Sequence, residues 1–340
     1  MDVAIVGGGI VGVAAAAFLA EGGADVTLIE HAEIGAGASG RNSGAVQHPF
    51  DPVLAPLYEE TLELYGIERP PDGLLTLFPE PGPVERLTQD VAGVFPELEA
   101  QLLEPGDVER LEPSVAPGLW ACRTETAWAV PPARAVTQVW QRAQEAGARL
   151  AGWPEAFEVE SDITVVCAGA ASSEVVDPTG GWRAIEPVWG VVAEVELEAA
   201  PRHVLEEAGI PELAEALGAG EATPQLFSLV SAEGRHGLGS SFTAGERPDE
   251  AQTAAELVRR GRRFLRGLAG VTATRACPRP VSADGRPLIG HLRDDLWICA
   301  GHGPWGISTG PASARLVADA ILGRGVEIPP ELAAARSNPG

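Results

Sequence analysis

The sequence contains no lysine, and all 24 of its basic side chains are arginines. A chain without lysine has no side-chain primary amine with which to form a Schiff base, act as a general base or activate oxygen as a cation. Mechanisms that need a lysine are therefore excluded. The 48 acidic side chains bring the net charge to −24, which argues against nucleic acid or an anionic membrane as a partner.

Cysteine is also scarce and scattered. The four cysteines, Cys122, Cys167, Cys277 and Cys299, form no CxxC pair, so the sequence supports neither a disulfide framework nor a metal site. The apolar N-terminus lacks a basic leader and is interrupted by glycines, which predicts neither a signal peptide nor a membrane span. We therefore expect a soluble, cytoplasmic protein without a metal ion, and the sequence gives no indication of its oligomeric state.

The chain begins with a nucleotide-binding pattern. A buried-strand run over residues 3–6 leads into a GxGxxG sequence and an alanine-rich helix, and a second strand ends at Glu30. The three glycines of such a pattern permit a tight turn, close approach of backbone to a pyrophosphate, and close packing of helix on strand. Glu30 suits a carboxylate that binds ribose hydroxyls, although a strand-end acid is also typical of a solvated turn. The candidate nucleotide-binding residues of this segment are Gly7, Gly9, Ile10, Val11, Gly12, Glu30 and His31.

Small residues recur at the ends of later strands. An apolar strand over 162–167 runs into Ala168-Gly169-Ala170, and a strand over 296–300 runs into Gly-His-Gly-Pro-Trp-Gly at 301–306. A further run of small residues over 34–44 is too rich in glycine for a helix or strand core, so we predict a loop. Such a loop either lies against a ligand or is simply a flexible surface segment.

The spacing of apolar residues in the rest of the sequence predicts further helices and a second sheet. Helical spacing of apolar residues predicts helices at 51–66, 84–103, 133–147 and 251–268, and a last one from about residue 310 to 322. Alternation over 189–197 and 225–242 predicts an antiparallel sheet. With 340 residues, the chain is long enough to form two lobes.

Three separated blocks resemble the FAD-dependent oxidoreductases of the D-amino acid oxidase superfamily, in particular the glycine oxidase and sarcosine oxidase branch. The blocks are GGGIVG with Glu30 and SGRNSG, the central CAGAAS, and RPVSADGRPLIG followed by GHGPWG. They occur in the order that the family has, and together they span nearly the whole chain. A simple NAD-dependent enzyme would share the first block, but it does not need the other two.

The resemblance implies an α/β fold, α+β overall, with two domains. A Rossmann-like FAD-binding domain would be assembled from 1–45, 130–185 and 276–330. A substrate-binding domain with helices and a mixed or antiparallel sheet would comprise 46–129 and 186–275, and 331–340 would form a C-terminal tail. Family members have a β-meander before the CAGAAS strand, whereas only residues 151–161 occupy that place here, so we expect the meander to be reduced to a turn.

The resemblance also implies which residues meet the flavin. The 39–44 loop would lie against the pyrophosphate, the ribityl chain and the flavin edge, where Arg41 would contact phosphate. The helix after GHGPWG would direct its N-terminus at the flavin ring and stabilise negative charge there. The cofactor-binding residues implied in these blocks are Ser39, Gly40, Arg41, Asn42, Ser43, Gly44, Ala168, Gly169, Ala170, Gly301, Gly303, Pro304, Trp305, Gly306 and Ile307.

Four residues are implied near the substrate. Arg279 occupies the arginine that binds the substrate carboxylate in glycine-oxidase-like enzymes, and a guanidinium suits that role; the alternative is a structural ion pair with Asp284. His302 and Trp305 would lie near the flavin ring, with a loop-capping histidine and a core tryptophan as the alternative. His48 is a weaker candidate, because a lone histidine is more often structural.

Cys277 lies where sarcosine-oxidase-like members attach the flavin covalently. The surrounding CPRP resembles the non-covalent glycine oxidase pattern more closely, so we expect non-covalent FAD. The only tyrosines are Tyr58 and Tyr65, so a tyrosine-assisted carboxylate site is not expected.

The reaction implied is hydride transfer from a small amine or amino acid to flavin N5, which gives an imine and, with dioxygen, hydrogen peroxide. Sarcosine-oxidase-like enzymes use a lysine to activate oxygen, and this chain has none. A dehydrogenase of an amine or hydroxy acid that uses another electron acceptor therefore stays open, as does a non-catalytic flavoprotein.

Overall fold

The computed structural model describes residues 1–152, 159–209 and 225–337. Within these ranges the chain forms a six-stranded sheet, a nine-stranded sheet and a two-stranded ribbon. The strands are β1 (Asp2–Val6), β2 (Asp25–Glu30), β3 (Ala45–Val46), β4 (Leu74–Phe78), β5 (Gln101–Leu103), β6 (Trp120–Thr124), β7 (Trp128–Ala129), β8 (Arg149–Gly152), β9 (Ile163–Val166), β10 (Ile185–Leu197), β11 (Val204–Glu207), β12 (Ser228–Ala232), β13 (Arg235–Gly239), β14 (Thr243–Ala244), β15 (Leu268–Ser282), β16 (Leu288–Arg293) and β17 (Leu296–Ala300). The helices are α1 (Ile10–Glu21), α2 (Ala38–Arg41), α3 (Ala55–Tyr65), α4 (Pro81–Val94), α5 (Pro105–Leu111), α6 (Pro132–Glu145), α7 (Ser172–Val176), α8 (Glu250–Gly261) and α9 (Gly306–Ile321).

The six-stranded sheet carries the nucleotide-binding pattern. Its order is β16-β17-β9-β1-β2-β8, and β17, β9, β1, β2 and β8 run parallel. Helix α1 is buried along nearly its whole length and packs between α6 and α9, which explains its run of four alanines at 14–17. No helix within the described ranges is long and apolar enough to cross a bilayer.

The nine-stranded sheet has the order β14-β10-β13-β12-β11-β4-β6-β5, and its ninth strand, β15, also pairs with β10. The two longest strands, β10 and β15, pair antiparallel from Ile185↔Ser282 to Leu197↔Leu268. One face of the sheet builds a second core with helix α8, in which Phe227 and Phe264 stack at 4.6 Å. The opposite face is turned toward the six-stranded sheet and is left to line a cavity.

The mixed α/β architecture predicted from the sequence is confirmed. The helix predicted over 84–103 is wrong at its end, because α4 stops at Val94 and residues Gln101–Leu103 form an edge strand on β6. The helix predicted over 251–268 ends at Gly261, where the chain turns so that Phe264 and Leu265 enter the second core.

The last helix begins earlier than its sequence suggests. Pro311 lies inside α9 and has no N–H to donate to the carbonyl four residues back, at Ile307. The hydroxyl of Tyr65 donates to the Ile307 carbonyl instead, at 2.9 Å. The helix therefore continues N-terminal to the proline as far as Gly306, and its first turn reaches the cavity described below.

The domain division given above stays a proposal, and three observations bear on it. Strand β15 continues through residue 276 into the RPVS sequence. The expected tail packs on the first sheet, since the Ile289 amide donates to the Leu332 carbonyl at 2.8 Å and Arg336 pairs with Asp284. Residues 153–158 of the shortened connection lie outside the described residues, as do 338–340.

Candidate active site

A cavity of about 780 Å³ lies at the carboxyl ends of the parallel strands. Val6 of β1, Glu30 of β2, Cys167 after β9 and Ala300 of β17 line one side, and Cys277 and neighbouring residues of β15 line the other. Ligands of open parallel sheets bind at this edge, because the chain departs from it in diverging directions. The cavity therefore joins the two sheets and is bordered by all three sequence blocks.

The glycines of the first block are required by close contacts. Gly7 has a φ of +115°, and a Cβ there would lie 2.4 Å from the carbonyl oxygen of Cys167. A Cβ at Gly12 would lie 1.9 Å from the Gly7 carbonyl oxygen, so helix α1 could not pack onto the turn. At Gly9 a Cβ would approach the Ser39 hydroxyl at 3.0 Å on the cavity side. These contacts are the ones that the GxGxxG pattern predicts.

Glu30 and Ser39 hold the glycine turn in place from outside it. The Gly8 amide donates to Glu30 Oε2 at 2.7 Å, and the Ile10 amide donates to the Ser39 hydroxyl at 2.9 Å. His31 Nδ1 lies 2.8 Å from the other Glu30 oxygen. Glu30 therefore has a fixed position at the cavity edge, which argues against the alternative of a merely solvated turn residue.

The small-residue segment 34–44 after β2 is not wholly a loop as predicted, because it contains the short helix α2, and hydrogen bonds tie it down. Asn42 Nδ2 donates to the Ser39 carbonyl at 2.7 Å, and Asn42 Oδ1 accepts from the Gly44 amide at 2.8 Å. From β15, Arg275 donates to the carbonyls of Arg41 and Asn42 at 3.0 and 3.1 Å. The segment is thus fastened to β15 of the nine-stranded sheet, which argues against a flexible surface segment, and the exposed Arg41 lines the cavity.

The GHGPWG block forms a tight turn that leads into α9. His302 is fully buried and lines the large cavity, and its Nε2 has no hydrogen-bond partner within the described part of the chain. Burial lowers the pKa of His302 to about 4, so its ring is neutral at physiological pH. A buried nitrogen without a partner at the cavity wall offers a hydrogen bond to a bound molecule. Gly306 and Ile307 of α9 line the cavity as well.

A smaller cavity of about 70 Å³ adjoins the first. The two share lining residues that include Arg279, Val192 and Ile307. Trp305 and Phe242 line only the smaller cavity, and both also belong to the main hydrophobic core, so the two alternatives given for Trp305 both describe part of its surroundings. The small cavity is therefore the candidate substrate chamber, and the large one is the candidate cofactor chamber.

Arg279 lies at the boundary between the chambers. Its Nη1 donates to the Ser241 carbonyl at 2.9 Å, and its guanidinium stands 4.4 Å above the Phe242 ring. Burial lowers the pKa of Arg279, but a guanidinium stays protonated at physiological pH. The ion pair with Asp284 considered as an alternative is wrong: Asp284 pairs with Arg336, and no carboxylate of the described residues pairs with Arg279.

His48 is not brought to either cavity. Its ring packs edge-on against Phe50, Tyr58 and Phe95, and its Nδ1 accepts a hydrogen bond from the Phe50 amide at 3.0 Å. Burial lowers the pKa of His48 to about 4. The prediction that His48 lies near the flavin or substrate is therefore wrong, because its side chain packs inside the helical segment.

Apart from His48, the predicted site residues fall into three groups. Those that line the large cavity are Gly7, Gly9, Ile10, Val11, Glu30, His31, Ser39, Arg41, Asn42, Ala168, Gly169, Ala170, Arg279, His302, Gly303, Pro304, Gly306 and Ile307. Ser43 and Trp305 line only the small one. Gly12, Gly40, Gly44 and Gly301 lie behind the walls, where a Cβ would come within 3 Å of neighbouring atoms in each case.

Sequence reasoning missed several lining residues. Glu174 and Pro178 follow the CAGAAS block, and no motif marks them. Gln47 and Glu206 of the small cavity come from segments that carry no recognisable pattern. Strand alternation in the second sheet was the only signal that could have found Glu206, and strand β11 was not predicted.

Comparisons with known proteins agree with this geometry. A family described as FAD dependent oxidoreductase, DAO, matches residues 2–320. The glycine oxidase of Bacillus licheniformis is 24% identical over 363 positions, which cover 96% of this chain and 94% of that protein. Shorter matches, including one of 49% identity to gamma-glutamylputrescine oxidoreductase of Escherichia coli, span only 10% to 14% of three curated relatives.

Solved structures show the same fold. The glycine oxidase of Geobacillus kaustophilus superposes with a TM-score of 0.79 at 22% identity, covering 98% of each chain. The iminodiacetate oxidase of Chelativorans sp. BNC1 superposes with a TM-score of 0.79 at 20% identity, covering 97% of this chain and 98% of that one.

Proposed function

This chain belongs to the DAO family of FAD dependent oxidoreductases, and from that premise we propose that it oxidises a small amine or amino acid of the glycine, sarcosine or D-amino acid type. The observation that carries the proposal is the position of Arg279 between the two cavities, with its charge facing the space where a substrate would lie.

The large cavity fits the family's cofactor. The glycine turn would hold the pyrophosphate, because backbone amides and the N-terminus of α1 favour phosphate there. Glu30 would bind ribose hydroxyls. The unpartnered His302 Nε2 and the first turn of α9 offer donors at the opposite end. FAD supplies, when bound, an acceptor for the two electrons and the hydrogen of a C–H bond next to nitrogen.

Arg279 would bind the substrate carboxylate. A guanidinium presents paired N–H donors that match a carboxylate, and only one of its bonds is used by the Ser241 carbonyl. The apolar walls of Phe242, Trp305 and Val192 exclude water, which strengthens the charge interaction. Bound in this way, the substrate has its α-carbon held at the mouth of the large cavity, so Arg279 acts by orientation.

A second candidate function is a dehydrogenase that passes electrons to an acceptor other than oxygen. The observation in its favour is the complete absence of lysine from the sequence. No ammonium is then present near the cofactor chamber to assist oxygen.

The first experiment records the absorption spectrum of the purified protein and then mixes it anaerobically with glycine, sarcosine, proline and several D-amino acids. Loss of the flavin bands with at least one of these compounds is expected. Rapid return of the bands on admission of air, with hydrogen peroxide formed, identifies an oxidase. Slow return in air but rapid return with a quinone identifies the dehydrogenase.

Arg279→Ala tests the assigned carboxylate site. The variant is expected to keep its flavin and to need at least tenfold more amino acid for bleaching, since a charge-assisted bond is lost. The matched control is Arg262→Ala, an exposed arginine at the C-terminal end of helix α8 that lines neither cavity. Normal bleaching by Arg279→Ala would refute the carboxylate role, and an absence of flavin bands in the wild-type protein would refute the proposal as a whole.

A further inference from the structure

We infer that Arg275 is a positioning residue for the cofactor: it holds the segment 39–44 against the large cavity, so that retention of FAD depends on it. The inference rests on the proposed function, because it takes FAD to occupy the large cavity. Arg275 itself lines neither cavity and belongs to none of the three sequence blocks. Its effect on the cofactor is therefore indirect.

The register of β15 places Arg275 on the face of the sheet that borders the cavities. Side chains alternate along a strand, so Arg275, Cys277 and Arg279 share one face. Cys277 lines the large cavity, and Arg279 lines both. Across the strand pair, Arg275 lies opposite Val192 of β10, which also lines both cavities. Arg275 is thus the next residue on this face beyond Cys277.

The guanidinium of Arg275 bonds to three different groups. Nε donates to the Arg41 carbonyl at 3.0 Å, and Nη2 donates to the Asn42 carbonyl at 3.1 Å. Nη1 donates to Glu194 Oε1 at 2.5 Å. Burial lowers the pKa of Arg275, but a guanidinium stays protonated at physiological pH. Glu194 therefore balances the charge, and the other two nitrogens are directed at the segment.

Arg275 satisfies carbonyl groups at the end of helix α2. Asn42 Nδ2 donates to the Ala38 and Ser39 carbonyls at 3.1 and 2.7 Å. The carbonyls of Arg41 and Asn42 receive their donors from Arg275, which lies 233 positions beyond Asn42. The last carbonyls of a helix have no donor within it. A residue of the nine-stranded sheet therefore completes the hydrogen bonding of this segment.

The end of the segment also rests on the backbone of the sheet. Gly237 of β13 pairs with Glu194, and a Cβ at Gly237 would lie 3.4 Å from Arg275 Nη2 and 3.6 Å from the Ser43 carbonyl oxygen. The guanidinium and the segment thus lie beside a position without a side chain. This close approach limits the movement of both.

The segment carries two groups that act at the cofactor chamber. The Ser39 hydroxyl accepts from the Ile10 amide at the start of α1 at 2.9 Å, and the Arg41 side chain lines the large cavity. Charge-assisted hydrogen bonds to a phosphate require a defined geometry. Release of the Arg41 carbonyl from Arg275 would displace the Arg41 side chain, so Arg275 acts on FAD through Arg41.

Dilution of the holoenzyme tests the inference, because the fluorescence of released FAD gives its dissociation constant. Arg275→Ala is expected to raise this constant about tenfold or more, since two hydrogen bonds from a charged donor to the segment are lost. The wild-type protein, diluted in the same buffer, is the reference. An unchanged dissociation constant overturns the inference.

Arg235→Ala is the matched control. Arg235 approaches the same Glu194 oxygen, at 3.8 Å, but its side chain is 80% exposed. Among the described residues it makes no hydrogen bond to the segment 39–44. The variant is expected to keep the wild-type dissociation constant for FAD. Equal losses in Arg235→Ala and Arg275→Ala overturn the inference.

A double-mutant cycle with Arg41→Ala separates positioning from a general loss of structure. If Arg275 acts through Arg41, the effect of Arg275→Ala falls to about threefold or less in protein that already carries Arg41→Ala. A merely structural role would give the same loss in both backgrounds. A larger effect in the Arg41→Ala background therefore overturns the inference.

Arg275→Lys keeps the inference testable if Arg275→Ala does not fold. A lysine keeps a positive charge beside Glu194, but its single nitrogen does not reproduce the planar arrangement of donors that bonds two carbonyls and a carboxylate. It is expected to raise the dissociation constant for FAD about threefold, as for the loss of one hydrogen bond. Wild-type affinity in Arg275→Lys overturns the inference.

The outcomes also separate this inference from the proposed function. A wild-type protein that binds FAD, with no loss of affinity in Arg275→Ala or in Arg41→Ala, refutes only the role of Arg275. A wild-type protein that is purified without flavin and does not bind added FAD refutes the proposed function and the inference together.

Discussion

Gly190 of β10 and Arg279 of β15 are in direct contact across the two longest strands. A Cβ at Gly190 would lie 2.1 Å from Nη1 and 2.4 Å from Cζ of Arg279. The guanidinium therefore lies against a backbone position that has no side chain, and this position aligns it with the Phe242 ring and the Ser241 carbonyl. Gly190 is a positioning residue for Arg279.

Gly190→Ala is expected to displace Arg279 and to weaken acetate binding more than tenfold. The added methyl group cannot be accommodated without moving the guanidinium, and such overpacking also destabilises a core by about 1–3 kcal/mol. Calorimetry with acetate and thermal unfolding measure the two effects. The control is Gly270→Ala in β15, where a Cβ meets no atom within 4 Å. Acetate binding that survives Gly190→Ala would show that Arg279 does not depend on this contact.

The glycine turn yields a second prediction. Gly12→Ala is expected to abolish retention of FAD, because its Cβ would lie 1.9 Å from the Gly7 carbonyl oxygen and push α1 off the turn. Flavin absorbance per protein after gel filtration measures the loss. Gly93→Ala in helix α4 serves as the control, since its Cβ meets open space and alanine favours a helix by about 1 kcal/mol. Full flavin content in Gly12→Ala would contradict the account of the turn.

The cofactor chamber could be predicted well from the sequence, and the substrate chamber could not. Gly12 acts through a contact with Gly7, five positions away, and the turn that joins β1 to α1 keeps all three glycines at a fixed spacing that can be read as a motif. Gly190 acts through strand register instead. Gly190 meets Arg279 across 89 positions, the difference between 279 and 190, and nothing in the local sequence around either residue specifies that pairing.

The errors in secondary structure have the same origin. Residues Gln101–Leu103 continue a helical pattern but pair with β6, because tertiary pairing outweighs a weak local preference. The early start of α9 depends on Tyr65, which is far away in sequence and supplies the donor that Pro311 lacks. The proline can be recognised in the local sequence, but the distant hydroxyl that replaces its missing hydrogen bond cannot.

The protein is expected to lose stability in acid through His302. The native pKa is about 4 and the ordinary value is 6.5, so between these values the unfolded chain binds more protons than the native one. The stability that the native state gains by keeping His302 neutral is fully present above about pH 6.5 and is lost as the pH falls toward 4. From pH 7.5 to 5 the loss amounts to about 2 kcal/mol of unfolding free energy.

Urea unfolding at the two pH values measures this dependence. His302→Gln is expected to lower stability at pH 7.5 but to reduce the difference between pH 7.5 and 5, because the buried group that must stay neutral is gone. His48 adds to the wild-type difference in the same direction, since burial lowers its pKa to about 4 as well. The control is His291→Gln at an exposed position. An undiminished difference in His302→Gln would show that this histidine is not the acid-sensitive group.

The flavin is expected to be released completely when the protein is precipitated with acid. Cys277 lines the cofactor chamber, but burial raises the pKa of its thiol, against the opposing effect of Arg279, Arg41 and Arg275. A protonated thiol is a poor nucleophile, so no bond to the cofactor is expected. Cys277→Ser should therefore keep the flavin content of the wild-type protein. Cys299→Ser, which replaces a thiol on the opposite wall of the cofactor chamber, should keep it as well. Yellow colour that stays in the acid pellet of the wild-type protein and disappears only with Cys277→Ser would establish the covalent link instead.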